Sequence, residues 1–245
     1  MRNNNLFYGT WELDGVLKNI DEKTAIKLLK YAKSKGIDKF DTAIVYGNGK
    51  VEKMLSAIVE DDDEILTKVP AIVKPSIDAV NISEYYPEKY IEKKVNESLK
   101  NLNRESIDIV LLHNWSTNWE EDLMPLHELK QIKDKGIVKK IGISLPNNYN
   151  KRLPDKIIKM IDYIEAPYNI DEKWILNDIN YYRQNNIEII LRSLFKQGTL
   201  LKENLVSVKE TILFIKKLDV FVTIGMTSKD QIDENIKLLG EKYEK

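Results

Sequence analysis

Asp41, Tyr46, Lys68 and His113 are a carboxylate, a phenol, an amine and an imidazole, four groups able to accept, hold and donate protons. They fall just past short runs with strand character, Ile37–Phe40, Glu64–Thr67 and Ile107–Leu112, and a helical pattern follows each run. In a barrel of alternating strands and helices, the carboxyl ends of the strands form one rim where chemistry gathers. The four side chains are therefore expected to meet on that rim as a proton-handling site.

The elements that must carry them alternate along the whole chain. Leu6–Trp11 reads as a first strand, and Glu22–Ser34 as a helix with Ala25, Ile26, Leu28, Leu29 and Ala32 at helical spacing, stopped by Gly36. Helix then precedes strand in turn: Lys50–Val59 and Ile65–Val69, Glu88–Leu102 and Ile107–Leu112, Glu120–Lys135 (closed by Gly136) and Lys139–Ser144. The second half repeats the pattern: Pro154–Met160 and Tyr163–Ala166, Lys173–Asn185 and Glu188–Ser193, Leu205–Leu218 and Val220–Ile224, with Ser228–Leu239 as the last helix. Eight such units predict an α/β protein with a (β/α)8 TIM barrel, one domain over residues 1–245. A doubly wound dinucleotide fold lacks its Gly-rich turn after the first strand. Pro70–Pro87 and Ser116–Trp119 are long connections on the functional rim, placed to cover or contact a ligand.

Composition narrows the partners. The 245 residues are 42% hydrophobic, enough for one large core, and 38 Lys+Arg against 39 Asp+Glu leave a net charge of -1. That balance gives no electrostatic reason to expect nucleic acid or an acidic membrane surface. The absence of cysteine excludes disulfides and thiolate metal sites, and no metal is expected. The stretch Met1 to Leu6 has no apolar signal core and no run is long enough to span a bilayer, so a cytoplasmic protein is expected.

Phe40-Asp41-Thr42-Ala43, Tyr46-Gly47 with Glu52, Thr67-Lys68 and Leu111-Leu112-His113 resemble the strand-end motifs of the aldo-keto reductases. The similarity continues through Gly142-Ile143-Ser144, Pro167-Tyr168-Asn169, Arg192-Ser193, Gln197-Gly198 and Gly225-Met226-Thr227-Ser228, with Gln231 and Glu234-Asn235. It runs from Gly9-Thr10-Trp11 nearly to the last helix, in family order.

The resemblance implies NAD(P)H-dependent reduction of a small-molecule aldehyde or ketone. The side chains suit that chemistry: a carbonyl that accepts hydride develops negative charge on oxygen and needs a proton donor. Tyr46 would be the acid and Lys68 the cation that eases its proton loss. Asp41 would hold the ammonium, and His113 would orient the carbonyl. Each has a plainer reading: Asp41 as a helix cap, Lys68 as a solvated strand end, Tyr46 as one structural tyrosine among 12. His127, within a helix beside Leu126 and Leu129, is expected to be a surface or packing residue.

The resemblance also implies a set of cofactor contacts. Ser144 matches the serine of a Ser-Asn pair against the nicotinamide carboxamide, but Leu145 stands where the Asn belongs. Glu165 replaces a Gln, and an ionised acid accepts but does not donate. Arg192 stands where many relatives carry a stacking aromatic, and its flat guanidinium can stack instead. Bacterial reductases from surface-polysaccharide clusters resemble the Arg192-Ser193-x-Phe195-x-Gln197-Gly198 run, which suggests a sugar-derived substrate. The pyrophosphate is expected along Ser193, Gln197 and Gly198. The adenosine end is expected against Gly225, Thr227, Ser228, Gln231 and Asn235 at the start of the last helix. Lys229 in its first turn would meet a 2′-phosphate, so NADP is expected over NAD, although Gln231 replaces the Arg that many relatives use there.

Relative to the family pattern, the amino-terminal hairpin, the long segment between strands seven and eight and the carboxyl-terminal loop are missing. An open pocket is expected, walled by Trp11, Tyr46, the Pro70–Pro87 loop, Trp115 and Trp119. Whether the two last-named tryptophans contact substrate or pin a loop is open at this level. Two other functions also stay open: a cofactor-binding regulatory or scaffold subunit with little turnover, and a barrel lyase or epimerase with Lys68 as a Schiff-base amine. The oligomeric expectation is a monomer or small homo-oligomer.

Overall fold

The computed structural model describes residues 5–16, 18–147 and 149–240. Eight parallel strands close into a barrel in chain order: β1 (Leu6–Gly9), β2 (Lys39–Asp41), β3 (Glu64–Val69), β4 (Ile107–Leu112), β5 (Val138–Ser144), β6 (Tyr163–Pro167), β7 (Glu188–Arg192) and β8 (Phe221–Gly225). The (β/α)8 barrel read from the alternation is the observed fold. Around the strands lie α1 (Glu22–Ser34), α2 (Lys50–Ser56), α3 (Tyr90–Leu102), α4 (Met124–Asp134), α5 (Asp155–Ile158), α6 (Ile179–Gln184), α7 (Thr199–Lys202), α8 (Val208–Leu218) and α9 (Lys229–Gly240). Among the described residues no helix is long and apolar enough to cross a membrane.

Local chemistry explains the element ends. The Asp21 side chain accepts from the Thr24 N–H at 2.9 Å and starts α1, whose Ala25, Leu28, Leu29 and Ala32 are buried. Ser207 caps α8 by accepting from the Glu210 N–H at 3.1 Å, and its hydroxyl donates to the Glu210 carboxylate at 3.0 Å. Several elements are shorter than their sequence pattern. The acidic stretch before Met124 stays in turns, and α4 begins with Pro125 in its first turn, where a missing N–H costs nothing. The predicted first strand stops at Gly9, because the Thr10 N–H and hydroxyl both bond the Asp41 carbonyl, at 3.0 and 2.9 Å. Trp11–Asp14 then turns as a 3-10 helix.

Strand side chains alternate between the helices outside and the barrel interior inside. The outward set, including Tyr8, Phe40, Ile65, Val110, Ile141 and Ile164, packs with Leu28, Leu29, Val95, Leu126, Leu129 and Ile232 of the helices. The inward set forms a separate plug: Phe7, Leu66, Ile109, Leu111, Tyr163 and Ile190, with Phe221 against it. Two residues farther along the strands, the same inward positions are held by Lys68, His113, Glu165 and Arg192. The apolar plug is thus the floor beneath a charged layer.

Candidate active site

The charged layer opens into a cleft of about 980 Å³ at the carboxyl ends of the strands. Asp41, Tyr46, Lys68 and His113 all line it, so the structure brings the four proton-handling residues together. Asp41 is the last residue of β2 and Lys68 lies inside β3 rather than past its end. A lysine in a strand interior reads as a boundary in sequence, but here the uppermost interior position holds it at 2% exposure.

Each side chain has a local anchor. Tyr46 sits in a turn closed by its own N–H on the Ala43 carbonyl at 2.9 Å, with Gly47 next at φ 57°, a conformation glycine adopts without strain. Behind Lys68, Thr67 donates to the buried Glu52 carboxylate at 2.7 Å, which also accepts from Asn101 at 2.8 Å. This ties β3 to α2 and α3. The His113 N–H bonds the Val69 carbonyl at 2.8 Å.

Lys68 is ion-paired with Asp41 and, at 3.3 Å, with Glu165 Oε1. Its ammonium lies 5.9 Å from the centroid of the Tyr46 ring. The Tyr46 ring meets His113 edge-on at 6.0 Å and Trp11 at 6.5 Å with a 30° tilt. Ser144 and Glu165 are register partners on β5 and β6, so the Ser144 hydroxyl donates to Glu165 Oε2. The Arg192 guanidinium donates to the Leu145 carbonyl at 2.7 Å, Asn147 Oδ1 at 3.0 Å and Ser193 Oγ at 2.9 Å. Its Nε lies 3.7 Å from Glu165 Oε2.

Burial dominates the electrostatics. It pushes the Tyr46 phenol up to about 12, although Lys68 pulls the other way. The acidifying cation expected from sequence is present, but desolvation outweighs it. Burial, then Lys68, pushes His113 down to about 3, so the imidazole is neutral. Burial also tends to strip Lys68 of its proton, but Asp41 and Glu165 together hold it above the usual lysine range. Asp41 is pushed up to about 6, chiefly by burial and further by Glu165, against the pull of Lys68. Burial works against Glu165 ionisation too, yet Lys68 and then Arg192 hold its carboxyl below the usual range.

The far wall of the cleft is the turn after β7. Ser193, Lys196 and Gln197 have φ of 62°, 44° and 60°, and Gly198 has 86°. Left-handed residues in series curl the backbone into a concavity of the kind that receives anions, and three of them are not glycine. Ser193, Gln197, Gly198, Gly225, Gln231 and Asn235 all face the cleft. Asn235, on the same wall, carries a buried Oδ1 that accepts no hydrogen bond from the described residues, whereas Glu165 Oε1 has the Lys68 ammonium at 3.3 Å. Thr227 and Ser228 serve the start of α9: the Thr227 N–H bonds Gln231 Oε1 at 2.7 Å, and Ser228 Oγ accepts from the Gln231 N–H at 3.2 Å. Lys229 points elsewhere, its ammonium 4.7 Å over the Tyr31 ring of α1.

Trp11 is 41% exposed at the mouth, whereas Trp115 and Trp119 are buried. Trp119 packs at 5.1 Å on Tyr85, 6.0 Å on Tyr86 and 5.9 Å on Trp115, and the Ser116 hydroxyl bonds the Ile77 carbonyl at 3.0 Å. The two long rim loops are thereby zipped together, and of the two tryptophans Trp115 reaches the cleft. His127 is exposed on α4.

Sequence reasoning missed Lys18, Glu12 and Asn147, which also line the cleft. Lys18 donates to Thr227 Oγ1 at 3.1 Å and lies 3.7 Å from Glu12, bridging the loop after β1 to the end of β8. No local signal marks them, because loop closure across the barrel seam puts them there.

The family model described as the aldo/keto reductase family matches residues 5–211. The chain is 27% identical over 202 residues to aldo-keto reductase YhdN of Bacillus subtilis (strain 168), covering 78% of this chain and 58% of that protein. It thus spans little more than half of that relative's length. Among solved structures, aldo-keto reductase AKR11C1 from Bacillus halodurans (holo form) superposes with a TM-score of 0.76 at 18% identity, covering 97% of this chain and 87% of that one. An aldo/keto reductase from Klebsiella pneumoniae in complex with NADP and acetate gives 0.72 at 14% identity, covering 98% and 87%.

Proposed function

Because the chain belongs to the aldo/keto reductase family, we propose that it reduces an aldehyde or ketone to the alcohol, with a nicotinamide dinucleotide as co-substrate and Tyr46 as proton donor. One observation carries this reading: a single cleft joins the Asp41–Lys68–Tyr46–His113 cluster to the left-handed turn at 193–198.

The residues fit a dinucleotide on two counts, the concave turn and the buried Asn235 Oδ1 without a partner among the described residues. Ser193, Gln197 and Gly198 would line the pyrophosphate, and Asn235 Oδ1 suits an exocyclic amine at the adenosine end. Ser144, Glu165 and Arg192 would face the nicotinamide. When bound, the dinucleotide supplies the hydride.

The protein's own groups handle the proton. The Tyr46 phenol stays protonated at neutral pH, which is the form a reduction needs, because the developing alkoxide is the stronger base. As the proton leaves, charge grows on the Tyr46 oxygen, and the Lys68 ammonium beside it is kept charged by two carboxylates. The neutral His113 retains an N–H to donate to the carbonyl oxygen. The substrate arm runs between Trp11, Val45, Ile77 and Asn114. The exposed face of Trp11 suits a sugar-derived carbonyl, since flat aromatic faces stack on sugar rings.

NADP is preferred over NAD in this reading. Lys18 is the cation that lines the β8 end of the cleft, and it supports a 2′-phosphate there in place of Lys229.

The test is oxidation of NADPH with 4-nitrobenzaldehyde, followed at 340 nm, alongside a thermal-shift titration with NADPH and NADH. Turnover with stabilisation by NADPH is the expected result. Stabilisation without turnover on any aldehyde would replace this reading with a cofactor-binding scaffold.

A further inference from the structure

At the inner end of the cleft two carboxylates share one ammonium. Asp41 alone would satisfy Lys68, yet Glu165 lies 3.3 Å from the same nitrogen. Glu165 is 1% exposed and lines the cleft, anchored through Oε2 by the Ser144 hydroxyl and the nearby Arg192, while Oε1 faces the Lys68 ammonium. Asp41, Lys68, Glu165 and Arg192 sum to zero charge; without Glu165 they would sum to plus one.

We propose that Glu165 makes the site bind the oxidised, cationic form of the nicotinamide more tightly than the neutral reduced form, so that it sets the redox poise of the bound cofactor. The inference rests on the function proposed above. With the phosphates on the 193–198 turn and the adenosine end by Asn235, a ring that reaches Tyr46 must pass over Ser144, Glu165 and Arg192. The two redox forms differ in charge only at that ring, so the ratio of their affinities reads the field there. In a buried, weakly screened site, one unit of charge within a few ångströms has a large effect. Arg192 opposes Glu165, and its removal should move the ratio the other way. Tighter binding of the oxidised form lowers the potential of the bound couple and favours hydride donation to substrate.

Dissociation constants for NADP+ and NADPH are measured by tryptophan fluorescence on the wild type, Glu165→Gln, Glu165→Asp and Arg192→Gln, with NAD+ and NADH titrated in parallel. Glu165→Gln is expected to weaken the oxidised form roughly tenfold relative to the reduced one, a shift of about 30 mV for a two-electron couple. Glu165→Asp keeps the charge and should stay near the wild-type ratio. Arg192→Gln should shift the ratio toward the oxidised form, and it tests the idea in a chain that retains Glu165 if Glu165→Gln does not fold. An unmoved ratio, or the same sign of shift in the Gln variants of both residues, overturns the inference while leaving the reductase reading intact. Failure of the wild type to bind any dinucleotide would remove both.

Discussion

The imidazole of His113 meets the Tyr46 ring edge-on, with centroids 6.0 Å apart and planes at 82°. Both residues are half-buried and both are held in their uncharged forms at neutral pH, the phenol by a raised pKa and the imidazole by a lowered one. The charges around them are those of Asp41, Lys68, Glu165 and Arg192, which line the same cleft. The neutral groups that face the reacting oxygen are therefore distinct from the charged groups that set the field around it.

That division of roles sets the pH dependence of the reaction. Asp41 titrates at about 6 and must be ionised to hold Lys68. We expect kcat/KM for reduction to be level through neutrality and to fall as pH drops through about 6. The residual activity of His113→Gln should keep that limb at the same pH. Disappearance of the limb with His113 would assign it to the imidazole instead.

Stability should also report on His113. Its folded pKa, about 3, lies below the ordinary value of 6.5, so between these pH values the unfolded chain binds a proton that the folded chain refuses. Stability therefore rises with pH across that window, by about 1.4 kcal/mol per pH unit for one proton. Denaturant melts from pH 4 to 7 should show a shallower dependence for His113→Gln than for the wild type. Parallel curves would mean that His113 is protonated in the fold.

Gly142 on β5 has no room for a side chain. A methyl there would lie 2.1 Å from the Tyr163 carbonyl oxygen on the neighbouring strand. Gly142→Ala should cost about 2–4 kcal/mol, read as a drop in melting temperature, because backbone rather than a flexible side chain must yield. A variant of wild-type stability would contradict the strand packing described.

Lys18 and Lys229 make opposite predictions for cofactor choice. Lys18→Ala should weaken NADPH by about tenfold and leave NADH nearly unchanged, since an ion pair to phosphate is worth on the order of one pK unit. Lys229→Ala should change neither by more than about twofold. The reverse pattern would mean that Lys229 leaves Tyr31 when the dinucleotide binds.

The barrel was legible because each helix stripe and each strand run carries its own periodicity, and the alternation of the two admits few topologies. The Asp41–Lys68 pair was legible in the sequence, but Glu165 as a third member of the ion cluster was not: the inward pleat and the register that sets Ser144 beside Glu165 exist only in three dimensions. The buried placement of Trp119 escaped the sequence because an aromatic in a rim loop reads equally as wall or as anchor. The Lys18–Thr227 contact spans the seam between the first and last strands, and no local pattern encodes it.

Tyr46→Phe removes the hydroxyl assigned as proton donor while the ring and its contacts with Trp11 and His113 remain. NADPH oxidation with 4-nitrobenzaldehyde and NADPH binding are measured on the same preparation. We expect kcat to fall by about 10²–10⁴ while the dissociation constant for NADPH stays within about twofold. Wild-type turnover in Tyr46→Phe would contradict that assignment.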